Sequence, residues 1–143
     1  MESSDARYRL KLAEGFLAEA RAQVEHRLYR AAVDAAQLSI ENSIKAVVAL
    51  FRPVPKVHEL VETIDDLLAG TDFSAEERER LSRLQDVAEV MGFETHIRTD
   101  YGDELQGITP WELYDDTEAA QALGYAEQAR QIALSIVEGR LAH

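Results

Sequence analysis

The hydrophobic pattern of the chain is helical, and its strongest segment runs from Tyr29 to Phe51. Apolar and small residues recur there every three or four positions, which is typical of a helix packed along its length against other helices. This seam consists of Val33, Ala36, Ile40, Ser43, Val47 and Leu50. Additional alanines and serines keep the helix narrow, so neighbouring helices can approach it from several sides. We therefore expect this helix to lie at the centre of a bundle.

A polar stripe also follows the central helix. At about 100° per residue, its members fall within roughly 60° of one line. They are Arg30, Asp34, Gln37, Glu41, Lys45 and Arg52. The simplest interpretation is a face exposed to water, because a run of charges on a helix is usually solvated. The alternative is that the stripe lines a functional groove.

The helix before the central one is predicted from Asp5 to about Arg27, with Ser3 or Ser4 as its N-cap. A single helix continuing to Phe51 is an alternative, since no glycine or proline separates the two. The apolar seam steps nine residues from Val24 to Val33, however, where an unbroken heptad phase requires seven or eleven. We therefore predict a tight hairpin between the two helices.

Helix signals continue after Pro53 and Pro55, which end the central helix. A short third helix is predicted over Val57–Ala69, with Gly70 as its terminator. The sequence Ser74-Ala-Glu-Glu77 is a capping box that begins the fourth helix.

From Glu94 to Tyr114 no period persists, and glycines and a proline interrupt any helical pattern. We expect a long irregular segment here, and ordered segments of this kind are often functional. The last helix is predicted to start near Asp115 or Asp116. No alternating strand pattern occurs. The expected fold is all-α, an up-and-down four-helix bundle with a short additional helix, formed by residues 1–143 as a single domain.

Composition narrows the chemistry. The chain has no cysteine, which excludes disulfides, thiolate metal ligands and thiol nucleophiles. Its start lacks the basic and apolar regions of a signal peptide, and no apolar run approaches the ~20 residues of a membrane span. We expect a cytoplasmic protein with no membrane partner.

The net charge is −12, which disfavours RNA or other broad nucleic-acid binding. The charge is +1 up to Leu60 and −13 beyond it, so an anionic ligand should prefer the N-terminal half.

The chemical motifs are sparse. Gly102 and Gly107 have the spacing of a phosphate loop, but Ile108 stands where the lysine is required. The sequence around His58 lacks the second histidine of a zinc-protease helix, and neither Glu-x-x-His nor Gly-x-Ser-x-Gly occurs, so we expect no metal site and no serine-hydrolase site. In the irregular segment, Arg98 offers a planar fork suited to phosphate and Tyr101 can stack on a base. The alternative is an internal ion pair of Arg98 with a carboxylate of Asp100, Asp103 or Glu104.

Four segments in order make the chain resemble the HEPN family, the nucleotide-binding domain of higher eukaryotes and prokaryotes. Residues 36–50, with Glu41 four positions before Lys45, are similar to the family's second helix, and Pro55-Lys-Val-His58-Glu-Leu60 is similar to the turn that follows. The other segments are Arg98-Thr-Asp-Tyr101-Gly-Asp103 and Pro110-Trp-Glu-Leu-Tyr114. The resemblance implies a helical bundle and a homodimer whose arginine regions approach each other. It also implies a small nucleotidyltransferase partner in a toxin–antitoxin-like pair.

Ribonucleases of this family carry an arginine followed, after four to six residues, by a histidine. Here no histidine follows Arg98 until His143, although His58 or His96 could substitute. The leading hypothesis is therefore a non-catalytic module that binds a nucleotide or a partner and needs no cofactor. Two alternatives are a ribonuclease with a non-standard histidine, and an interaction protein that uses Tyr101 and Trp111 as contact residues. The expected binding residues are Arg98, Tyr101, Asp103, Lys45, Glu41 and His58.

Overall fold

The computed structural model describes residues 3–56 and 60–142, except for the side chains of residues 93, 94 and 96. Within these ranges the chain forms helices joined by short turns, and the only strand-like pairing is one antiparallel bridge between Asp103 and Ile108. The helices are α1 (Ser3–Glu25), α2 (Tyr29–Ala49), α3 (Leu60–Gly70), α4 (Ala75–Val90), α5 (Phe93–Tyr101), α6 (Pro110–Leu113) and α7 (Asp116–Leu141). The predicted all-α bundle with a short additional helix is confirmed, and two further short helices accompany it.

Helix α2 lies at the centre of the bundle, as its pattern predicts. It contacts each of the other six helices, and 15 of its 21 residues are buried. Small residues on α2 let α1 approach closely. At this contact the buried Ser39 hydroxyl donates a 2.7 Å hydrogen bond to the carbonyl oxygen of Ala13. Along α1 the buried residues recur every three or four positions, at Ala6, Leu10, Ala13, Leu17 and Ala20.

The predicted hairpin between α1 and α2 is present. Arg27 has a φ of 60°, and its N–H donates to the carbonyl of Val24, while the N–H of Leu28 donates to the carbonyl of Gln23. These two bonds form a Schellman motif, in which glycine usually occupies the left-handed position. The N-cap prediction for α1 is wrong, because Ser3 lies within the helix.

The polar stripe of α2 is not a solvated face, so the simplest interpretation is wrong. Gln37 and Glu41 are each only 6% exposed. Glu41 pairs with Lys45 at 3.2 Å, and the Lys45 side chain is 16% exposed. The stripe is covered because α2 is surrounded by the rest of the bundle, and surrounding helices bury polar positions together with apolar ones.

The segment between α4 and α7 is far more regular than its sequence suggests. Helix α5 ends at Tyr101 with Gly102 as its C-cap, and a hairpin over residues 103–108 leads to α6, which has a capping box between Thr109 and Glu112. Gly102 and Gly107 both have a φ of 70°, so their spacing reflects turn geometry. Sequence periodicity fails here because helices of nine and four residues are too short to repeat an apolar seam.

The ends of α4 and α7 are tied together. The predicted capping box is present, since the Ser74 hydroxyl accepts from Glu77 N–H and the Glu77 carboxylate accepts from Ser74 N–H. Arg140 of α7 donates to both oxygens of the same carboxylate at 2.8 and 2.9 Å. Its guanidinium also lies 5.3 Å from the ring of Phe51 and 5.2 Å from that of Phe73. This cluster joins the fourth and last helices to the end of α2.

Candidate functional site

Three cavities lie side by side along α5 and α6. We call the first the deep cavity; it has a volume of about 430 Å3 and lies between α2, the end of α4, α5 and α7. Arg98 and Tyr114 contribute to its wall, together with two carboxylates, Glu89 and Glu118. Val33 of the central helix lies among its apolar lining.

The second, or hairpin, cavity has a volume of about 360 Å3 and lies between α5 and the hairpin. Its wall shares Arg98 with the deep cavity, and Asp103 and Glu104 add two carboxylates. Tyr101 and Leu105 also line it and are highly exposed, by 63% and 101%. Arg98 and Tyr101, three residues apart on α5, therefore face a common space.

The third, or turn, cavity has a volume of about 270 Å3 and lies where the α1–α2 turn meets α6. This cavity shares Tyr114 with the deep cavity, which shares Arg98 with the hairpin cavity, and we call the three together the cavity band. Arg27, Arg30 and Trp111 line the turn cavity together with Tyr29.

Exposed large hydrophobic side chains are concentrated in this band. Among the residues that the structure describes, seven such side chains are exposed, and Tyr8 alone lies outside the three cavities. The other six are Leu28, Val90, Ile97, Tyr101, Leu105 and Trp111. A contiguous patch of exposed apolar surface is typical of an interaction site.

The charges of the three cavities differ in sign. One arginine and two carboxylates line each of the cavities that Arg98 borders, whereas two arginines and no carboxylate line the turn cavity. A carboxylate beside a bound phosphate repels it, and the repulsion is strong where water is partly excluded. The carboxylates that line the Arg98 cavities therefore make them poor phosphate sites, and in the turn cavity Arg30 also lies near a carboxylate, 3.8 Å from that of Asp100.

Helix α5 is held in place by the first part of the polar stripe. The Arg30 guanidinium donates a 2.8 Å hydrogen bond to the carbonyl oxygen of Thr99 and lies 3.8 Å from the Asp100 carboxylate. The fully buried Thr99 hydroxyl donates to Asp34 at 3.4 Å. These contacts fix the rotation of α5, and Tyr101 lies on its exposed face. The polar stripe in the sequence indicates that Arg30 and Asp34 could have a role, but it does not indicate that they contact Thr99 of α5.

Comparison with known proteins identifies the family. The HEPN domain family profile matches residues 6–137, almost the whole chain. The protein belongs to the HEPN family. The crystal structure of TT1696 from Thermus thermophilus is similar to this HEPN protein, with a TM-score of 0.68 and 22% sequence identity over 95% of this chain and 99% of that chain. At this identity the similarity shows a shared fold. No curated protein sequence matches this HEPN chain.

The predicted binding residues of this HEPN protein fall into separate places. Arg98, Tyr101 and Asp103 come together in the hairpin cavity, where the Asp103 carboxylate accepts a 3.2 Å hydrogen bond from the N–H of Gln106. Glu41 and Lys45 form an ion pair with each other and line none of these three cavities.

Two histidines bear on the ribonuclease alternative. His58 lies outside the described residues, and His96 belongs to α5, but its side chain is not described.

Residues 3–56 and 60–142 contain no group of three metal-ligating side chains. In the same part of the chain, no helix has the length and apolar character that crossing a bilayer requires.

The sequence does not predict that Arg27 and Trp111 line one cavity. The sequence predicts Trp111 only as a partner contact and Arg27 only as the end of the first helix. The available signals were an aromatic residue directly after Pro110 and a cation in a turn that ordinarily favours glycine.

Proposed function

We propose that this HEPN protein is a non-catalytic binding module whose cavity band holds a protein partner around Arg98 and Tyr101. The concentration of exposed apolar side chains in the band carries this proposal. A single exposed apolar side chain is common on protein surfaces. Burial of a group of them by a partner is favourable, because it removes a larger apolar area from water.

The charges around Arg98 favour a protein over a nucleotide. A nucleotide phosphate would meet Asp103 and Glu104 in the hairpin cavity, or Glu89 and Glu118 in the deep cavity. A protein can instead bring both apolar and basic side chains to these walls. Its apolar side chains would cover Ile97, Tyr101 and Leu105, and its basic ones would neutralise the carboxylates.

The first partner that we propose is a second copy of the chain. In a two-fold dimer, each surface meets the same surface of the other copy. Arg98 of one copy can then lie against Asp103 and Glu104 of the other, while Tyr101 and Leu105 pack at the centre. This arrangement supplies both the apolar and the basic groups that the surface requires, and it agrees with the dimer that the HEPN resemblance implies.

Sedimentation equilibrium tests the dimer. We expect the wild-type chain to sediment as a dimer and Tyr101→Ser to weaken the association at least about tenfold, because aromatic residues often dominate interface energetics. Tyr8→Ser is the matched control, since Tyr8 is similarly exposed, at 57% against 63%, but lies on α1 away from the band. A monomeric wild type, or equal weakening by both substitutions, would contradict the proposal.

A small nucleotidyltransferase is the second partner that we propose, on the basis of HEPN membership. If the gene neighbouring this one encodes such an enzyme, co-expression should yield a complex of fixed stoichiometry without added nucleotide. Tyr8→Ser should leave its yield unchanged. Failure of the two chains to co-elute would eliminate this partner.

Calorimetry addresses the nucleotide form of the hypothesis at Arg98. Because carboxylates flank Arg98 in both cavities, we expect ATP to give the same weak heats with wild type and Arg98→Ala. A saturable heat that Arg98→Ala abolishes would instead place a nucleotide at this arginine.

A further inference from the structure

A buried side chain of the central helix carries an acceptor atom without a hydrogen bond. Gln37 is only 6% exposed, and among the residues that the structure describes its Oε1 atom has no hydrogen-bond partner. An amide oxygen that loses its water without gaining a donor lowers the stability of the state that buries it. Any state in which water reaches Gln37 is favoured to the same extent.

Gln37 lies on the face of α2 that α5 covers. Arg30 and Asp34, which belong to the same polar stripe, both contact Thr99 of α5. Gln37 follows Asp34 by three positions, and residues three or four apart lie on the same side of a helix. Val33, four positions before Gln37, borders the deep cavity together with residues of α5. Movement of α5 away from α2 would therefore bring water to Gln37.

Polar contacts attach α5 to α2. The Arg30 guanidinium donates to the Thr99 carbonyl oxygen at 2.8 Å, but it lies 3.8 Å from the Asp100 carboxylate. The Thr99 hydroxyl lies 3.4 Å from Asp34, which is long for a hydrogen bond between two oxygens. Water replaces such contacts at small net cost when they break. The attachment is therefore suited to repeated opening and closing.

Glycines flank α5 on both sides. Gly92 is its N-cap, and Gly102 is its C-cap with a φ of 70°. Hinges are a few positions at the ends of elements that absorb large changes of φ and ψ, and small residues are common there. Helix α5 thus has a possible pivot at each end.

We propose that α5 is a hinged cover that opens from α2 as a unit and exposes Gln37 to water in the open state. The contacts of Arg30 and Asp34 with Thr99 favour the closed state, and the unpaired Gln37 oxygen favours the open one. Tyr101 lies on α5, so opening also moves part of the cavity band. This coupling to a partner rests on the proposed function, whereas the opening itself does not.

Amide hydrogen exchange, measured by NMR, tests the opening. The exchange rate of an amide reports how often its segment opens, from local opening up to global unfolding. The amides of α5 should exchange at least about tenfold faster than those of α2 and α7, because local opening costs less free energy than global unfolding. The measurements use Tyr101→Ser as the parent chain, so that association of two copies does not cover α5.

Gln37→Met is the decisive variant, since methionine is similarly long and flexible but has no amide oxygen. It should slow exchange of the α5 amides about tenfold, because the open state loses its advantage. Ser43→Ala is the matched control. The Ser43 hydroxyl is also buried and unpaired on α2, but it lies on the apolar seam. This control should slow only the exchange that requires global unfolding.

Thr99→Val tests the attachment from the side of α5. It removes the hydroxyl that donates to Asp34 and keeps the shape of the side chain, so the α5 amides should exchange about fivefold faster. Thr95→Val makes the same change on the same helix, where the Thr95 hydroxyl donates to the Val90 carbonyl oxygen at 3.5 Å. The control should alter exchange of α5 by less than about twofold, since so long a hydrogen bond contributes little.

Three results would overturn the proposal. They are exchange of the α5 amides at the rate of those of α2 and α7, equal slowing by Gln37→Met and Ser43→Ala, and equal acceleration by Thr99→Val and Thr95→Val. Simple fraying of α5 from its ends would also give fast exchange. Fraying does not expose Gln37, however, so fast exchange that Gln37→Met leaves unchanged would equally contradict the proposal.

The coupling to a partner has its own test in the chain that retains Tyr101. At concentrations where this chain sediments as a dimer, the α5 amides should exchange more slowly than in the Tyr101→Ser parent, because the partner holds α5 closed. Equal rates in the dimer would contradict the coupling but not the opening. A chain that stays monomeric would contradict the proposed dimer, and the comparison of Gln37→Met with Ser43→Ala would still decide the opening.

Discussion

At the scale of single residues, three positions with positive φ shape the binding region. Arg27 turns the chain between α1 and α2, and Gly102 and Gly107 form the hairpin after α5. The two glycines share a φ of 70° but differ in their surroundings. A Cβ on Gly102 would lie 2.2 Å from the carbonyl oxygen of Ile108, whereas a Cβ on Gly107 would meet nothing within 4 Å.

The contrast between the glycines gives a paired prediction. Gly107→Ala should cost about 1 kcal/mol of unfolding free energy from backbone strain alone. Gly102→Ala should cost clearly more, about 3 kcal/mol, because the hairpin backbone must also move. Urea denaturation of both variants measures the difference, and equal losses would show that the close approach at Gly102 is unimportant.

Arg27 gives the opposite prediction for stability. Arg27→Gly should raise the unfolding free energy by about 0.5–1 kcal/mol, since the left-handed strain is relieved. Arg27→Ala removes the same side chain without relieving the strain and should leave stability nearly unchanged. Thermal unfolding of the two variants tests this. Similar melting temperatures would mean that the backbone at Arg27 is not strained.

At the scale of elements, polar side chains near the ends of helices form the contacts that join one helix to another. Arg30 and Asp34 of α2 hold α5 through Thr99, and Arg140 of α7 holds α4 through Glu77. Burial alone would raise the pKa of Glu77, but hydrogen bonds from Arg140 and Ser74 and the charge of Arg140 lower it overall. The Glu77 carboxylate thus links a capping box to the contact between two helices.

The lowered pKa of Glu77 predicts a pH-dependent stability. Its contribution is fully present above the ordinary glutamate pKa of about 4.3 and is lost as pH falls through the lower pKa of the folded state. Glu77→Gln should therefore lower stability near pH 7 by about 1–3 kcal/mol and reduce the acid sensitivity. Glu79→Gln, an exposed change on the same helix, is the control. Parallel pH profiles for wild type and Glu77→Gln would refute the prediction.

At the scale of the whole molecule, the distribution of charge disfavours binding of a long nucleic acid. Acidic residues dominate the chain after Leu60, so a long nucleic acid meets repulsion over most of the surface. The chain up to Leu60, which includes Arg27 and Arg30, carries a net charge of only +1.

The net charge predicts weak RNA binding, and the lack of a histidine after Arg98 until His143 predicts no cleavage. A fluorescent single-stranded RNA should show no anisotropy change at about 150 mM salt and should remain intact, because few phosphates can be neutralised. Arg98→Ala and His96→Ala should behave in the same way as wild type. Cleavage that either substitution abolishes would instead support the ribonuclease alternative.

The contribution of the sequence is clearest where local chemistry repeats. The seam from Val33 to Leu50, the break between Val24 and Val33, and the capping box at Ser74 predict helices and turns that the structure contains. Arg98, Tyr101 and Asp103 are close in sequence, so their proximity in one cavity was also predictable. By contrast, α5 was missed because nine residues are too few for a period to emerge.

The sequence by itself determined the long helices, their central member and the family, because apolar spacing, caps and turn residues act over a few neighbouring positions. Only the tertiary structure decided that Gln37 and Glu41 are buried and that Lys45 pairs within its own helix. It alone brought Arg27 of the first turn beside Trp111, 84 positions later. These outcomes depend on which helix packs against which face, and such long-range packing leaves no periodic signal in the chain.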